Sequence, residues 1–427
     1  LGILLAALVA ACARVDRRFA PRAPLWSDPD RGPFVGEPSE YESEVYWDRL
    51  DQSTFRRLSQ FLKMPTLAEA ENVNSLDEVP DSSWYENRVV GHQLSPAELV
   101  AGPCTEPQLD GAGPWMITGG KPAGVQPGFF IEDPEGRRYL LKFEGPQAPR
   151  PALAEAVASR LYHAAGYRVP CNTAVHFDRS ILRIEPGAKA KNEIGDKVPL
   201  TWRLVDLALQ QALRLPDGRY RAAASLFLPG KPLGEWRYHG TRSGDRNDII
   251  AHENRRELRG SRLMAAWTDH WDQREGNTLA MWHEGSDGAG YVEHHLLDFG
   301  ECFGSSRLAR RGDTYWVDPP DVLLDFTTLG VIERPWDRKP LGPLSETLGY
   351  YGVANFDAEG WVPSYPNPAF RRMTERDGAW MARVIARIDE PMVAAMVSEG
   401  HVDRRLERGL LRILMGRREK ILRRYLG

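Results

Sequence analysis

The stretch that most limits how this chain can fold is His270-Trp271-Asp272-Gln273-Arg274-Glu275-Gly276-Asn277, followed downstream by Leu296-Leu297-Asp298-Phe299-Gly300. Either segment alone is weak, since Asp-Phe-Gly arises by chance in many proteins. Both in order, with a buried strand candidate at Tyr291 to Asp298 leading into the second, form a strong signal. Around them the chain runs from strands to helices. Trp115 to Thr118, Gly128 to Glu132 and Arg137 to Phe143 are strand candidates, with a tight turn at Asp133-Pro134-Glu135-Gly136. Pro151 opens a helix that Gly166 ends. Val169 to Phe177 and Ala222 to Leu228 read as further strands, and 201–213 as a helix. Beyond residue 250 the pattern is mainly helical, with Glu253 to Thr268 and Thr374 to Leu426 as candidates. The predicted class is α+β, with a mainly β N-lobe at 97–230, a mainly α C-lobe at 231–427, and a hinge near Leu226 to Gly234.

The chain has 427 residues, 42% hydrophobic and 27% charged, enough for two to three domain-sized units or one large two-lobed domain. Its formal net charge of -4 gives no general basic field for nucleic acid. The only strongly apolar run, Leu1 to Ala11, is too short to span a membrane and has the length of a signal-peptide core. It ends in Val9-Ala10-Ala11-Cys12, which resembles the lipobox of bacterial lipoproteins. That resemblance implies a signal peptide over 1–11, lipidation of Cys12, and a chain anchored in the bacterial cell envelope, facing the periplasm or the cell surface. Residues 12–96 are then expected as a tether and N-terminal extension. Cys104, Cys171 and Cys302 show no C-x-x-C spacing, so a zinc site is not expected. One disulfide or buried free thiols remain open, and the sequence does not choose a pair.

The segment at 270–277 resembles the catalytic loop of protein kinases, H-R-D-x-x-x-x-N, with His270, Asp272 and Asn277 at matching spacing. The second segment matches D-F-G. Trp271 stands where the usual Arg would be, and no A-P-E segment follows Gly300. These departures look like the atypical groups: HipA-like kinases, phosphoinositide-type lipid kinases, and secreted or spore-coat kinases. Asn247 to Gly260 and Tyr365 to Phe370 resemble segments of bacterial proteins with the same lobe order. The resemblance implies a nucleotide with Mg²⁺ bound between the lobes. Asn277 and Asp298 would ligate the cation, a hard ion that takes oxygen donors. Asp272 would face the acceptor hydroxyl, and Arg274 would offset charge on the transferring group.

Upstream, Lys142 ends the apolar strand Tyr139-Leu140-Leu141 and is placed to meet the phosphates. Its acidic partner is expected to be Glu155, with Glu144 as the alternative. The helical period points Glu155 nearly opposite Leu153, Val157 and Leu161, which requires a helix packed on both faces. Gly119-Gly120-Lys121-Pro122-Ala123-Gly124 is a candidate phosphate-covering loop through Gly119, Gly120, Lys121 and Gly124, or else an ordinary Gly-rich hairpin. His294 and His295 fall on opposite faces of a strand, so joint metal ligation is not expected. The function expected is an ATP:Mg²⁺-dependent phosphotransferase acting on a protein, lipid or small molecule. The alternatives are a pseudokinase-type tethered binding module and transfer of a nucleotidyl group.

Overall fold

The computed structural model describes residues 23–32, 35–41, 50–61, 68–91, 93–106, 108–121, 127–145, 150–191, 196–285, 288–304, 315, 317–332 and 341–427. Cys12 and Gly124, and with them the expected anchor and part of the glycine loop, lie outside the described residues. The strands are β1 (Val35–Gly36), β2 (Trp115–Gly120), β3 (Gly128–Glu132), β4 (Arg138–Phe143), β5 (Asn172–Phe177), β6 (Leu182–Lys191), β7 (Lys197–Pro199), β8 (Tyr220–Leu226), β9 (Lys231–Pro232), β10 (Thr278–Glu284) and β11 (Ala289–Leu296). They make a seven-stranded sheet in the order β5-β8-β4-β3-β2-β6-β7 and a four-stranded sheet in the order β1-β11-β10-β9. Only β2 and β6 pair in parallel within the first sheet. The helices used below are α1 (Pro96–Ala101), α2 (Arg150–Ala165), α3 (Trp202–Gln210), α4 (Arg256–Thr268), α5 (Pro368–Arg371), α6 (Glu375–Ala386), α7 (Glu390–Ser398) and α8 (Arg404–Leu426).

The fold is α+β, a mainly β lobe followed by a mainly helical one. Alternation builds the β lobe: Trp115 and Ile117 of β2 and Tyr139, Leu141 and Phe143 of β4 turn to one face. Val205 and Leu209 of α3 close over that face. On the helical side, polar caps set the helix starts. Thr374 and Asp377 form a reciprocal capping box at α6. Asp403 accepts from Arg405 N and Leu406 N at the start of α8, whose last turn carries Arg423 and Arg424.

Helix α2 lies between the two cores. Its Leu153, Val157 and Leu161 belong to the core of the helical lobe. Its Ala152 and Ala156 meet Ala174 of β5 and Ala223 of β8, where four methyl groups let helix and sheet approach closely. The chain crosses from one sheet to the other between Leu226 and Lys231, since β9 pairs with β10. Arg221 of β8 ties the lobes together. Its guanidinium donates to Glu144 Oε2 at 2.9 Å and to the carbonyls of Gly400 and His401 at 2.6 and 2.8 Å.

The N-terminal extension packs on the helical lobe: Ala70, Val73, Val79, Trp84, Tyr85 and Val89 join that lobe's core. Asn72 bonds the Glu257 carboxylate and accepts from Arg256 N, and Asp77 pairs with Arg256 at 2.6 Å. Asn72 and Asp77 thereby fasten the extension to α4. One sequence expectation needs correction: the strand candidate ending at Asp298 stops at Leu296, and Asp298 sits beyond it with φ of 58°. Of the alternatives left open for the cysteines, Cys104 and Cys171 form a disulfide, and Cys302 is a buried free thiol.

Candidate active site

Lys142 sits on β4 between Leu141 and Phe143, so its side chain leaves the sheet on the face opposite their core. That face is where α2 packs. Lys142 Nζ lies 2.7 Å from Glu155 Oε1 and 2.8 Å from Asp298 Oδ1. Glu155 Oε2 accepts from Asn172 Nδ2 at 2.8 Å and from the backbone N–H of Phe299 at 3.1 Å. Helix α2 is buried on nearly its whole circumference, so Glu155 does not need to share the Leu153 stripe. Glu144, the alternative partner, is engaged elsewhere, by Arg221 and by Ala152 N at 2.6 Å.

Electrostatics follow from this packing. Burial would lower the Lys142 pKa, but Asp298 and Glu155 hold it above its ordinary value. Burial pushes Glu155 up, against the pull of Lys142. Burial acts the same way on Asp298, yet Lys142 prevails and brings it down to about 2. Some 45% of the Asp298 side chain still meets solvent, so its carboxylate remains open to a ligand.

The loop after α4 is fixed from several sides. Asp269 ends the helix in a left-handed conformation and accepts from Trp361 Nε1 at 2.9 Å. The His270 ring lies 3.3 Å from the Tyr162 hydroxyl and packs against Phe299, and burial lowers its pKa to about 4. Asn277 Nδ2 donates to Asp272 twice, to its carbonyl at 2.7 Å and to Oδ2 at 3.0 Å. Leu297 N donates to Asn277 O at 2.9 Å, which joins the two sequence motifs through the backbone. Arg274 Nε is 3.4 Å from Asp272 Oδ1. Burial raises the Asp272 pKa to about 6, with Asp298 adding to the rise and Arg274 and Asn277 opposing it.

The structure thus brings Lys142, Glu155, Asp272, Arg274, Asn277 and Asp298 to one place. Lys121 joins them: burial and Lys142 lower its pKa, while Asp298 and Glu155 act in the other direction. Gly119 and Gly120 end β2 beside this group. A Cβ on Gly120 would lie 2.6 Å from Ala190 Cβ, so the close approach of β6 accounts for that glycine. Two contributors were missed in the sequence. Asn172 opens β5, and nothing local marks it as the partner of Glu155. Arg150, one residue before the expected helix start, donates to Cys302 O and Gly304 O at 3.1 and 2.6 Å and pairs with Glu301 at 2.9 Å. It fastens α2 to the chain that follows Asp298.

The donor set suits a hard cation. Asp298 supplies a carboxylate, and because Asn277 Nδ2 is engaged by Asp272, its carbonyl oxygen is the donor left for a metal. Among the described residues no cluster of three or more His, Cys, Asp or Glu side chains could hold a metal. An ion here therefore needs further oxygens from water or substrate phosphates, which is how Mg²⁺ is commonly held.

No protein-family model matches the chain, and no curated protein matches it. Among solved structures, the chain is similar to the Helicobacter pylori proinflammatory kinase CtkA, with 11% identity, 72% of this chain and 94% of that chain covered, and a TM-score of 0.37. It is also similar to the Golgi casein kinase, with 14% identity, 95% and 97% covered, and a TM-score of 0.29. A structure of the Golgi casein kinase with Mn/ADP bound gives 14% identity, 88% and 97% covered, and a TM-score of 0.30.

Proposed function

We propose that the chain is an atypical kinase, an ATP:Mg²⁺-dependent phosphotransferase. The observation that carries this reading is Lys142 held between Glu155 and Asp298, at 2.7 and 2.8 Å, beside the Asp272–Asn277 pair. Lys142 would bind the nucleotide phosphates while Glu155 keeps its ammonium in position. Asp298 and Asn277 would hold Mg²⁺, which supplies charge neutralisation on the phosphates. Lys121 would add a cation at the same place. Asp272 would accept the proton of the acceptor hydroxyl or orient it, and a carboxyl raised to about 6 is matched to that task near neutral pH. Arg274, beside Asp272, would balance negative charge as the phosphoryl group moves.

The same reading includes lipid anchoring in the bacterial envelope through Cys12. Val9-Ala10-Ala11-Cys12 supports it, and the Cys104–Cys171 disulfide fits an oxidising compartment. Labelling cells with an alkynyl fatty acid, with Cys12→Ala as control, tests the anchor. A second reading, a tethered binding module of kinase-like fold, draws on the direct Lys142–Asp298 contact, which pairs the cleft charges without a nucleotide.

Thermal unfolding of residues 19–427 with and without ATP and Mg²⁺ separates the two. Ligand at about one hundred times its dissociation constant stabilises by roughly 2.7 kcal/mol, a shift of a few degrees for a domain of this size. A Mg²⁺-dependent shift that is lost in Asp298→Ala supports the phosphotransferase. No shift with any nucleotide or divalent cation would favour the binding module.

A further inference from the structure

The helix Pro319–Thr328 presents its apolar side to solvent and its acidic side to the protein. Pro319 and Pro320 open it, and Asp318 at its N-cap pairs with Arg57 at 2.7 Å. Asp321 and Asp325 are half-buried. Val322, Leu323, Phe326 and Leu329 share an arc of roughly 120° on a regular helix. All four are more than half exposed, Phe326 at 80% and Leu329 at 90%. Leu329 ends the helix in a left-handed conformation, and Gly330 N donates to Asp325 O and Val331 N to Thr328 O. That turn carries Val331 and Ile332 outward, both also more than half exposed. Six large apolar side chains within eleven residues thus face solvent, and no other stretch of that length among the described residues exposes more than three. An apolar cluster of this density marks a face that another apolar phase covers.

The surroundings of the face point to a lipid surface. The helix Arg56–Phe61 lies against it: Arg57 pairs with Asp318 and stands 4.2 Å over the Tyr315 ring. This helix belongs to the N-terminal extension that begins at Cys12, and Leu50 and Leu58 there are exposed too. Cys12 lies eleven residues before Ala23, where the described residues begin. A tether of that length spans at most about 40 Å, so an acyl chain on Cys12 confines the domain to the neighbourhood of the bilayer. In the sequence, the segments 305–314 and 333–340 on either side of the helix carry six Arg and Lys against three Asp and Glu, and Trp336. Basic residues and Trp flanking an apolar helix suit anionic headgroups. Ten residues rise only about 15 Å, and no helix among the described residues is long and apolar enough to cross a membrane. The helix would therefore lie on the bilayer and not through it.

We propose that the face formed by Val322, Leu323, Phe326, Leu329, Val331 and Ile332 docks onto the surface of an anionic lipid bilayer, the one that holds Cys12. That this bilayer is at hand rests on the lipid-anchor reading; that the face has affinity for lipid does not. Anchoring makes the docking intramolecular, so a modest affinity is sufficient. Arg56, beside Arg57, pairs with Glu275 of the catalytic loop at 2.9 Å, so one helix links the docked face to that loop.

The test is sedimentation of sucrose-loaded vesicles with residues 19–427, which keep every described residue and lack Cys12. Vesicles of phosphatidylglycerol and phosphatidylethanolamine should carry wild type down. Leu323→Gln combined with Phe326→Gln should weaken binding about tenfold or more. Leu207→Gln, which removes an exposed leucine from α3 in the β lobe, should bind as wild type. The unfolding midpoint of the double variant should match that of wild type, because both side chains are exposed. The proposal is overturned if wild type stays in the supernatant, if the double variant binds as wild type does, or if Leu207→Gln loses binding equally. Self-association of wild type that the double variant abolishes, without vesicle binding, would assign the face to a second copy. A lowered midpoint in the double variant, without vesicle binding, would assign it to another segment of this chain. Vesicle binding by residues 19–427 together with no fatty-acid label on Cys12 would remove the anchor and leave the docking face standing.

Discussion

Asn172 donates its side-chain amide to Glu155 Oε2 at 2.8 Å, from the first residue of β5 to the second turn of α2. Both residues are buried. The carboxylate is thereby held on one oxygen while Lys142 takes the other. Asn172→Leu removes a hydrogen bond to a buried charged group, a loss of about 1.5–3 kcal/mol. Denaturant unfolding should show that loss. The same variant should bind ATP more weakly, since a loosened Glu155 no longer fixes the Lys142 ammonium. A stability change below about 0.5 kcal/mol, within the range of an indifferent surface substitution, would show that the bond contributes little.

The next prediction concerns the residue before it. Cys171 joins Cys104 across a sequence separation of 67, linking the chain just after α1 to the edge of the β sheet. Closing a loop of that length removes denatured-state entropy worth about 4 kcal/mol. Cys104→Ala with Cys171→Ala should therefore lower the unfolding midpoint by several degrees. Burial raises the Cys302 pKa well above the usual thiol value, so this cysteine should stay unreactive in the folded protein. Alkylation followed by mass spectrometry should find no label on Cys302 under native conditions. After reduction and denaturation, Cys104, Cys171 and Cys302 should all be labelled.

What was legible in the sequence was what is local. His270, Asp272, Asn277 and Asp298 could be read because their spacing and the apolar run before Asp298 lie in one short stretch. Lys142 could be read from its place at the end of the apolar strand Tyr139-Leu140-Leu141. The position of Glu155 could be read, but its orientation could not: helical period assumes one buried face, whereas α2 is buried between two cores. Asn172 and Arg150 were invisible because their partners lie across tertiary contacts. Asn72 and Asp77 carried no signal for the same reason, since only the fold sets them against Glu257 and Arg256. Charge in a sequence reads as solvent until its partner is known.

His163, near the end of α2, gives a pH prediction. Burial first, then Arg88 and Arg160, depress its pKa from 6.5 to about 3. Below pH 6.5 the unfolded chain takes up a proton that the folded chain refuses until about pH 3. This group's contribution to stability is therefore present above 6.5 and lost as pH falls through that window, by about 1.4 kcal/mol per pH unit at full slope. Other buried groups titrate in the same range, so the difference from His163→Gln is the quantity to read. Urea unfolding at pH 8 and pH 5 should show wild type losing more stability than His163→Gln. Equal losses would mean that the imidazole is protonated in the folded state.

The last prediction separates binding from chemistry. Asp272 and Asp298 share one cleft but differ in environment: Lys142 holds Asp298 ionised, while burial leaves Asp272 titrating at about 6. Asp272→Asn keeps the side chain's shape, and the Asn277 bond to the backbone carbonyl of residue 272 is untouched. The loop should keep its form, and the ATP-dependent thermal shift should persist. Phosphoryl transfer should fall about 10²–10⁴-fold, the usual contribution of a positioned base. Asp298→Ala should instead lose the Mg²⁺-dependent shift itself. Autophosphorylation followed by intact-mass measurement, run beside thermal shifts on both variants, gives the comparison. If Asp272→Asn lost nucleotide binding as completely as Asp298→Ala, Asp272 would belong to the nucleotide site and not to the acceptor.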